Sequence, residues 1–404
     1  MMKKMRAMLR AAALTVSLAA CAAGETGAET TYCGPAEDEA VTLAAPEAVS
    51  TAQYPNEADY YDSKTGEWDD DAYSLAYDAW RADYDAKTAK LADAAGLEET
   101  FQPLLRALLA GAEEENRVCS PLNVYLALAM LAEVTAGESR AQILDALGAD
   151  SIETLRARAG ALWDENSWDD GQVKSLLANS FWLREGEDYT DETLRRLAED
   201  YHAAAFAGQM GSEAYDKALQ DWINANTGNL LTEQAGNLTL DPQTVLALVS
   251  TIYFSANWSE QFSDGATGED TFHAPGGDVT CDFMHSSETG DVYYGEGFTA
   301  IRLSLRGSAS MGRVRPEDGV TPAQLLDSPE ARSFLTANGG WSQTQFATIE
   351  LSLPKFDVSS DLDLTQPLQA LGITDVFSAE TADFSPLMAD ADELALSQAK
   401  HAAR

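Results

Sequence analysis

The chain has 404 residues, 45% of them hydrophobic, which is enough to bury a large core. Against 26 Lys and Arg stand 66 Asp and Glu, a formal net charge of −40. Such a surface repels phosphate backbones and anionic headgroups, which excludes nucleic acid as a partner. Residues 1–10 carry Lys3, Lys4, Arg6 and Arg10, and residues 11–20 are small and apolar. The pattern is that of a secretory leader, because the apolar run is too short to span a bilayer as a helix. Leu18, Ala19, Ala20 and Cys21 form a bacterial lipobox. Cleavage there would leave Cys21 acylated at the new amino terminus and tether an exported protein to the outer face of the cell membrane.

Residues 22–71 are rich in Ala, Glu, Thr, Asp and Pro without sustained apolar periodicity, and read as a flexible acidic linker. Within it, residues 62–66 faintly resemble a calcium loop, but Lys64 stands where an oxygen ligand is needed. Over residues 72–96 the character changes. Tyr73, Tyr77, Trp80 and Tyr84 recur at helical spacing as one aromatic stripe. The stripe suits either docking on the domain behind it or stacking on a glycan.

A second helix is expected over 97–109. Ser120 and Pro121 then make a helix start, Ser as N-cap and Pro at the first position, where its missing N–H costs nothing. Residues 122–132 are apolar on nearly every face, so that helix lies inside the protein. A strand is expected over 178–183 and helices over 191–206 and 212–226. Residues 244–254 are almost continuously apolar with β-branched members, as in a strand covered on both faces. Strand pairs are expected within 270–284 and 291–305, and a half-buried strand over 348–353. Strands interleaved irregularly with helices give an α+β class.

Little in the chain suggests catalysis. The four histidines, His202, His273, His285 and His401, form no H-E-x-x-H, and neither a G-x-S-x-G elbow nor a Walker loop occurs. After Cys21 the cysteines are Cys33, Cys119 and Cys281, odd in number and widely spaced, which argues against a disulfide framework and against zinc. The expectation is a protein that is not an enzyme and holds no metal or cofactor.

Three separated blocks carry a resemblance. Asn116, Arg117, Val118, Cys119, Ser120, Pro121, Leu122, Asn123 and Val124, followed by Ala127 to Leu131, resemble the opening block of the serpin family. Residues 244–254 with Trp258 are similar to its long central strand and the tryptophan after it. Leu353, Pro354, Lys355 and Phe356, then residues 371–377 and 382–385, match its later blocks in order. The resemblance covers residues 97–404 and implies a serpin-like α+β fold, with helices packed around a large mixed sheet and smaller sheets beside it. It also implies inhibition by conformational change. A target protease of the serine or cysteine class cleaves a reactive loop, which then inserts into the main sheet as a new strand, and the inhibitor acts as a monomer.

By the same resemblance Ser120, Asn123, Asn179, Ser250 and His401 make a polar cluster that governs opening of the sheet, and Trp258 marks where insertion begins. Departures are visible. Asn123 replaces a second serine, Ser250 replaces an asparagine, and residues 311–316 carry Arg313 and Arg315 where an apolar strand is usual, which puts that strand in doubt. The family's reactive loop and closing strands come after the histidine strand, so this sequence is expected to stop short of them. The other reading is a non-inhibitory surface binding protein on the same scaffold.

Overall fold

The structure is a computed structural model describing residues 39–89, 97–111, 115–274, 276–307, 309–336, 343–391 and 394–404, single residues 35 and 341, and the backbone of 10–21. Strand β1 is Arg10–Cys21 and β2 is Val41–Ala44. A 3-10 turn at Glu57–Tyr60 precedes the small hairpin of β3, Tyr61–Asp62, and β4, Glu67–Trp68. Helix α1 spans Asp70–Thr88, capped by Asp69, and α2 spans Leu97–Leu109. Helices α3, Pro121–Glu133, α4, Gly137–Ala146, and α5, Ile152–Asn166, come next. Then follow β5, Trp168–Asp169, β6, Val173–Arg184, α6, Asp191–Tyr201, and β7, Ala203–Gly208. After α7, Glu213–Asn226, and α8, Thr232–Gly236, comes β8, Thr244–Ala256. The first four strands of a five-stranded second sheet follow: β9, Thr267–Ala274, β10, Gly277–Gly295, β11, Phe298–Ser304, and β12, Ser310–Pro316. Helices α9, Pro322–Asp327, and α10, Pro329–Thr336, lead to β13, Thr344–Pro354. The chain closes with β14, Ser360–Asp363, α11, Thr365–Ala370, and β15, Leu394–Ala403.

The main sheet runs β14-β15-β1-β8-β6-β7-β2, with β5 against β6, and the second sheet runs β12-β11-β10-β13, with β9 against β10. Strand β1 is parallel to both β8 and β15, so those two strands are held apart by the width of one strand. The largest core lies between the main sheet and α2 to α6, and α3 crosses it with every residue from Asn123 to Glu133 buried. On the other face α7 packs Tyr215, Leu219 and Trp222 against Trp182 and Phe206. These layers are those of an α+β protein.

Four expectations need correction. Part of the stretch read as a flexible linker is ordered: β2 pairs antiparallel with β7, although Val41 is 61% exposed. Main-chain hydrogen bonds hold it, and these leave no apolar periodicity in the sequence. The helix expected over 191–206 stops at Tyr201, where His202 takes a left-handed conformation, φ +50°. Residues 203–208 then form a fully buried strand, since small side chains fit between two covered faces. The strand pair expected within 291–305 begins earlier, because β10 continues unbroken from Gly277. Finally, β12 forms despite its two arginines: Arg315 is exposed, and Arg313 is half-buried and donates to the Ser352 carbonyl at 3.4 Å.

Helix α1 docks through its aromatic stripe. Trp80 donates its Nε1–H to Asp170 Oδ2 at 3.0 Å, and Asp170 is itself 1% exposed. The other oxygen of that carboxylate accepts the backbone N–H groups of Gln172 and Val173 at 2.9 Å each. Tyr84 meets Trp168 edge-on at 5.7 Å, and Lys87 lies over the Trp168 ring at 4.6 Å. Replacing Trp80 with Ala removes a buried ring and leaves that carboxylate oxygen unpaired, a local cost of about 3–5 kcal/mol. Amides of α1 should then exchange with solvent about a hundredfold faster while those of β6 and β8 keep their rates; unchanged exchange in α1 would refute the docking.

Candidate functional site

The site lies where the N-terminus of α3 meets the main sheet. Ser120 caps α3, its Oγ accepting the N–H of Asn123 at 3.3 Å and donating to Asn123 Oδ1 at 2.6 Å. Asn123 Nδ2 donates to Ser250 Oγ on β8 at 2.9 Å. The backbone N–H of Ser120 donates to His401 Nε2 on β15 at 2.8 Å. Asn123, Ser250 and His401 are fully buried and Ser120 nearly so. Buried polar groups need partners, and these four find them in one another. Because Nε2 accepts, the His401 ring is neutral here with its proton on Nδ1.

Ser120, Asn123, Ser250 and His401 therefore form one hydrogen-bonded group that bridges α3 to the two strands flanking β1. Across this contact the short hydroxyl of Ser250 faces the longer amide of Asn123. Asn179 lies opposite Ser250 in the β6–β8 register, but its Nδ2 donates elsewhere, to the Tyr201 carbonyl at 2.8 Å. Trp258 is apart from the cluster. It follows the end of β8, bridges to Leu305, and packs edge-on to Phe262 at 5.5 Å in the apolar group of Leu303, Leu351 and Leu353. Cys21 is the last residue of β1, in register with Phe254.

One buried charge was missed by sequence reasoning. Glu133, at the other end of α3, is 3% exposed and takes two nitrogens of Arg156, 3.0 and 3.3 Å away. The Tyr201 hydroxyl donates to it at 3.1 Å, and Arg196 stands at 3.5 Å. Burial, then the charge of Glu133, pushes the Tyr201 phenol well above its ordinary range. The signal was a lone acid ending an otherwise apolar helix. Among the described residues no group of His, Cys, Asp and Glu is placed to hold a metal, and Cys119 and Cys281 are free thiols. Burial pushes the Cys119 thiol up to about 12, so it is a poor nucleophile. The arrangement has no nucleophile–base pair; it is a latch between a helix and two strands.

Comparison with known proteins places this geometry. The family described as serpin (serine protease inhibitor) matches residues 98–404. Leukocyte elastase inhibitor of Equus caballus is 28% identical over 307 residues, covering 74% of this chain and 81% of its own. Human neuroserpin is 27% identical over 317 residues, covering 73% and 74%. Among solved structures, the native state of the thermophilic serpin tengpin superposes with a TM-score of 0.68 at 24% identity, covering 76% of this chain and 78% of that one.

Substituting Asn123 with Ala deletes the bonds to Ser120 and Ser250 and leaves buried hydroxyls short of a partner, a loss of about 2–4 kcal/mol. The melting temperature should fall by roughly 5 °C or more, against less than about 1 °C for the exposed Glu185→Ala. Equal shifts for the two variants would remove the cluster from any structural role.

Proposed function

This chain belongs to the serpin family, and from that premise we propose that it is the scaffold of a protease inhibitor that works by strand insertion, at the outer face of a bacterial cell. The observation that carries the reading is the pair β8 and β15, which hold one extra strand between them and are both bonded to α3 through the Ser120 cluster. A sheet that takes a strand in that position can take a cleaved loop. A segment that follows β15 and folds back would enter antiparallel to β15 and β8, the more stable pairing per residue. Each added ladder bond and buried side chain lowers the free energy, and that gain is what drags and deforms an acylated protease.

Within this reading Ser120, Asn123, Ser250 and His401 favour the arrangement in which β8 and β15 stand one strand apart, and Asn179 acts indirectly through the Tyr201 carbonyl. Trp258 stands beyond the end of β8, where an inserting loop would begin to enter. The targets are proteases of the serine or cysteine class. Anchoring at Cys21 requires removal of residues 1–20, and with them most of β1, so the exported form would present the place between β8 and β15 to the loop. The inhibitor would act as a monomer.

The test uses a polypeptide that continues through the reactive segment. Incubated with proteases such as an elastase, it should give a covalent complex that survives heat and detergent; cleavage without complex formation would support a non-inhibitory binding role. That second reading uses the same scaffold, since human thyroxine-binding globulin shares the fold, with a TM-score of 0.68 at 20% identity. Expression in a bacterium with labelled fatty acid should mark the wild type and leave Cys21→Ser unlabelled; equal labelling would dismiss the anchor.

A further inference from the structure

The aromatic ladder on α1 extends beyond what docking requires. Tyr77, Trp80 and Tyr84 sit against Tyr54 and Trp168, and this part already carries cations of the chain itself, Lys87 over Trp168 at 4.6 Å and Arg81 over Tyr84 at 5.3 Å. The other part consists of Tyr60, Trp68 and Tyr73, with ring centroids 5.0 to 6.4 Å apart, joined to the first by Tyr73 stacked on Tyr77. Trp68 is 41% exposed and the neighbouring Tyr61 53%, while Tyr60 and Tyr73 are half-buried. Grouped rings left in water mark an interaction surface more often than lone ones do.

The charge around these rings selects the partner. Residues 57–73 contain seven Asp and Glu (57, 59, 62, 67, 69, 70, 71) and a single basic residue, Lys64. Glu57 and Asp59 belong to the turn that holds Tyr60, and Glu67 precedes Trp68 directly. Asp70 accepts the Trp68 Nε1–H at 3.4 Å, which fixes a carboxylate at the ring edge. A hydrogen bond with Tyr54, and then burial, raises the Tyr73 phenol to about 12. Electron-rich ring faces bordered by carboxylates attract cations through both the quadrupole and the net field. A neutral sugar could use the same faces, but the carboxylates would contribute nothing to holding it by charge.

We propose that this exposed end of the ladder is a docking surface for a basic polypeptide segment, with Arg or Lys side chains laid on Tyr60, Trp68 and Tyr73. It repeats, toward a partner, the contact that Lys87 and Arg81 make within the chain.

The probe is a fluorescent peptide of alternating Arg and Gly, with a Gln-Gly peptide as uncharged control and a chito-oligosaccharide as competitor, read by anisotropy. The Arg peptide should bind at low salt and weaken as salt rises to about 0.3 M. Trp68→Ala and Tyr73→Ala should each weaken it about tenfold, Trp68→Phe should retain most of the affinity, and Glu199→Gln on α6 should change it less than about twofold. Binding that Trp68→Ala leaves intact, or that Glu199→Gln lowers as much, would mean diffuse attraction to a −40 chain and would overturn the proposal. Displacement of the peptide by the oligosaccharide, or binding of the sugar alone, would assign the surface to glycan instead. Exchange rates of α1 amides in each variant report whether the helix stays docked. A variant that undocks α1 is set aside for Tyr60→Ala or Glu67→Gln, which must show the loss for the proposal to stand.

Discussion

The structure depends on how the polar start of an otherwise apolar helix is satisfied. Helix α3 is buried from Asn123 to Glu133 and its cap Ser120 is nearly so, which leaves the polar groups at its N-terminus little access to water. They are matched by Ser250 and His401, one on each strand beside β1. An unpaired buried donor or acceptor costs more than a formed bond contributes, so the cluster fixes helix and strands in one relative position. The cluster is complete here with β1 already between β8 and β15, so bringing those two strands together or moving them further apart must rearrange it. A neutral imidazole suits this role, since a protonated Nε2 could not accept the Ser120 N–H.

At its far end α3 is held differently. Glu133 brings a charge into the core, and Arg156, Arg196 and Tyr201 surround it with donors from α5 and α6. Breaking such a group by removing one partner is costly, while replacing the whole set by apolar residues need not be. Its value is therefore positional. Tyr201 also connects the two ends of the design, because its carbonyl takes the Asn179 amide from β6 while its hydroxyl serves Glu133. A second latch thus joins β6 to the helical layer, separate from the one at β8 and β15.

The segment ahead of the serpin domain is a strap with two attachments. Strand β2 extends the main sheet past β7 by main-chain pairing, and α1 is pinned by Trp80 to Asp170 just before β6. Between them the chain bonds Tyr54 N–H to the Asp170 carbonyl at 2.9 Å and Ala52 N–H to Asp83 at 3.0 Å. The strap occupies surface beside α5 and β6 and leaves its outermost rings in water.

By itself the sequence determined the class, the buried course of α3, the central strand β8 and the order of the blocks that carry the family. Each is written in local signals, a cap before a proline, an unbroken apolar run, short motifs in sequence order. It also named Ser120, Asn123, Ser250 and His401, by resemblance. Tertiary structure alone decided that these four bond to one another while Asn179 turns to Tyr201, because hydrogen-bond partners 127 and 281 positions apart leave no local trace. It decided as well that Ala203–Gly208 is a strand and that Val41–Ala44 pairs at all. In the first case burial on both faces overrides helix propensity, and in the second the bonds belong to the backbone, which every sequence shares.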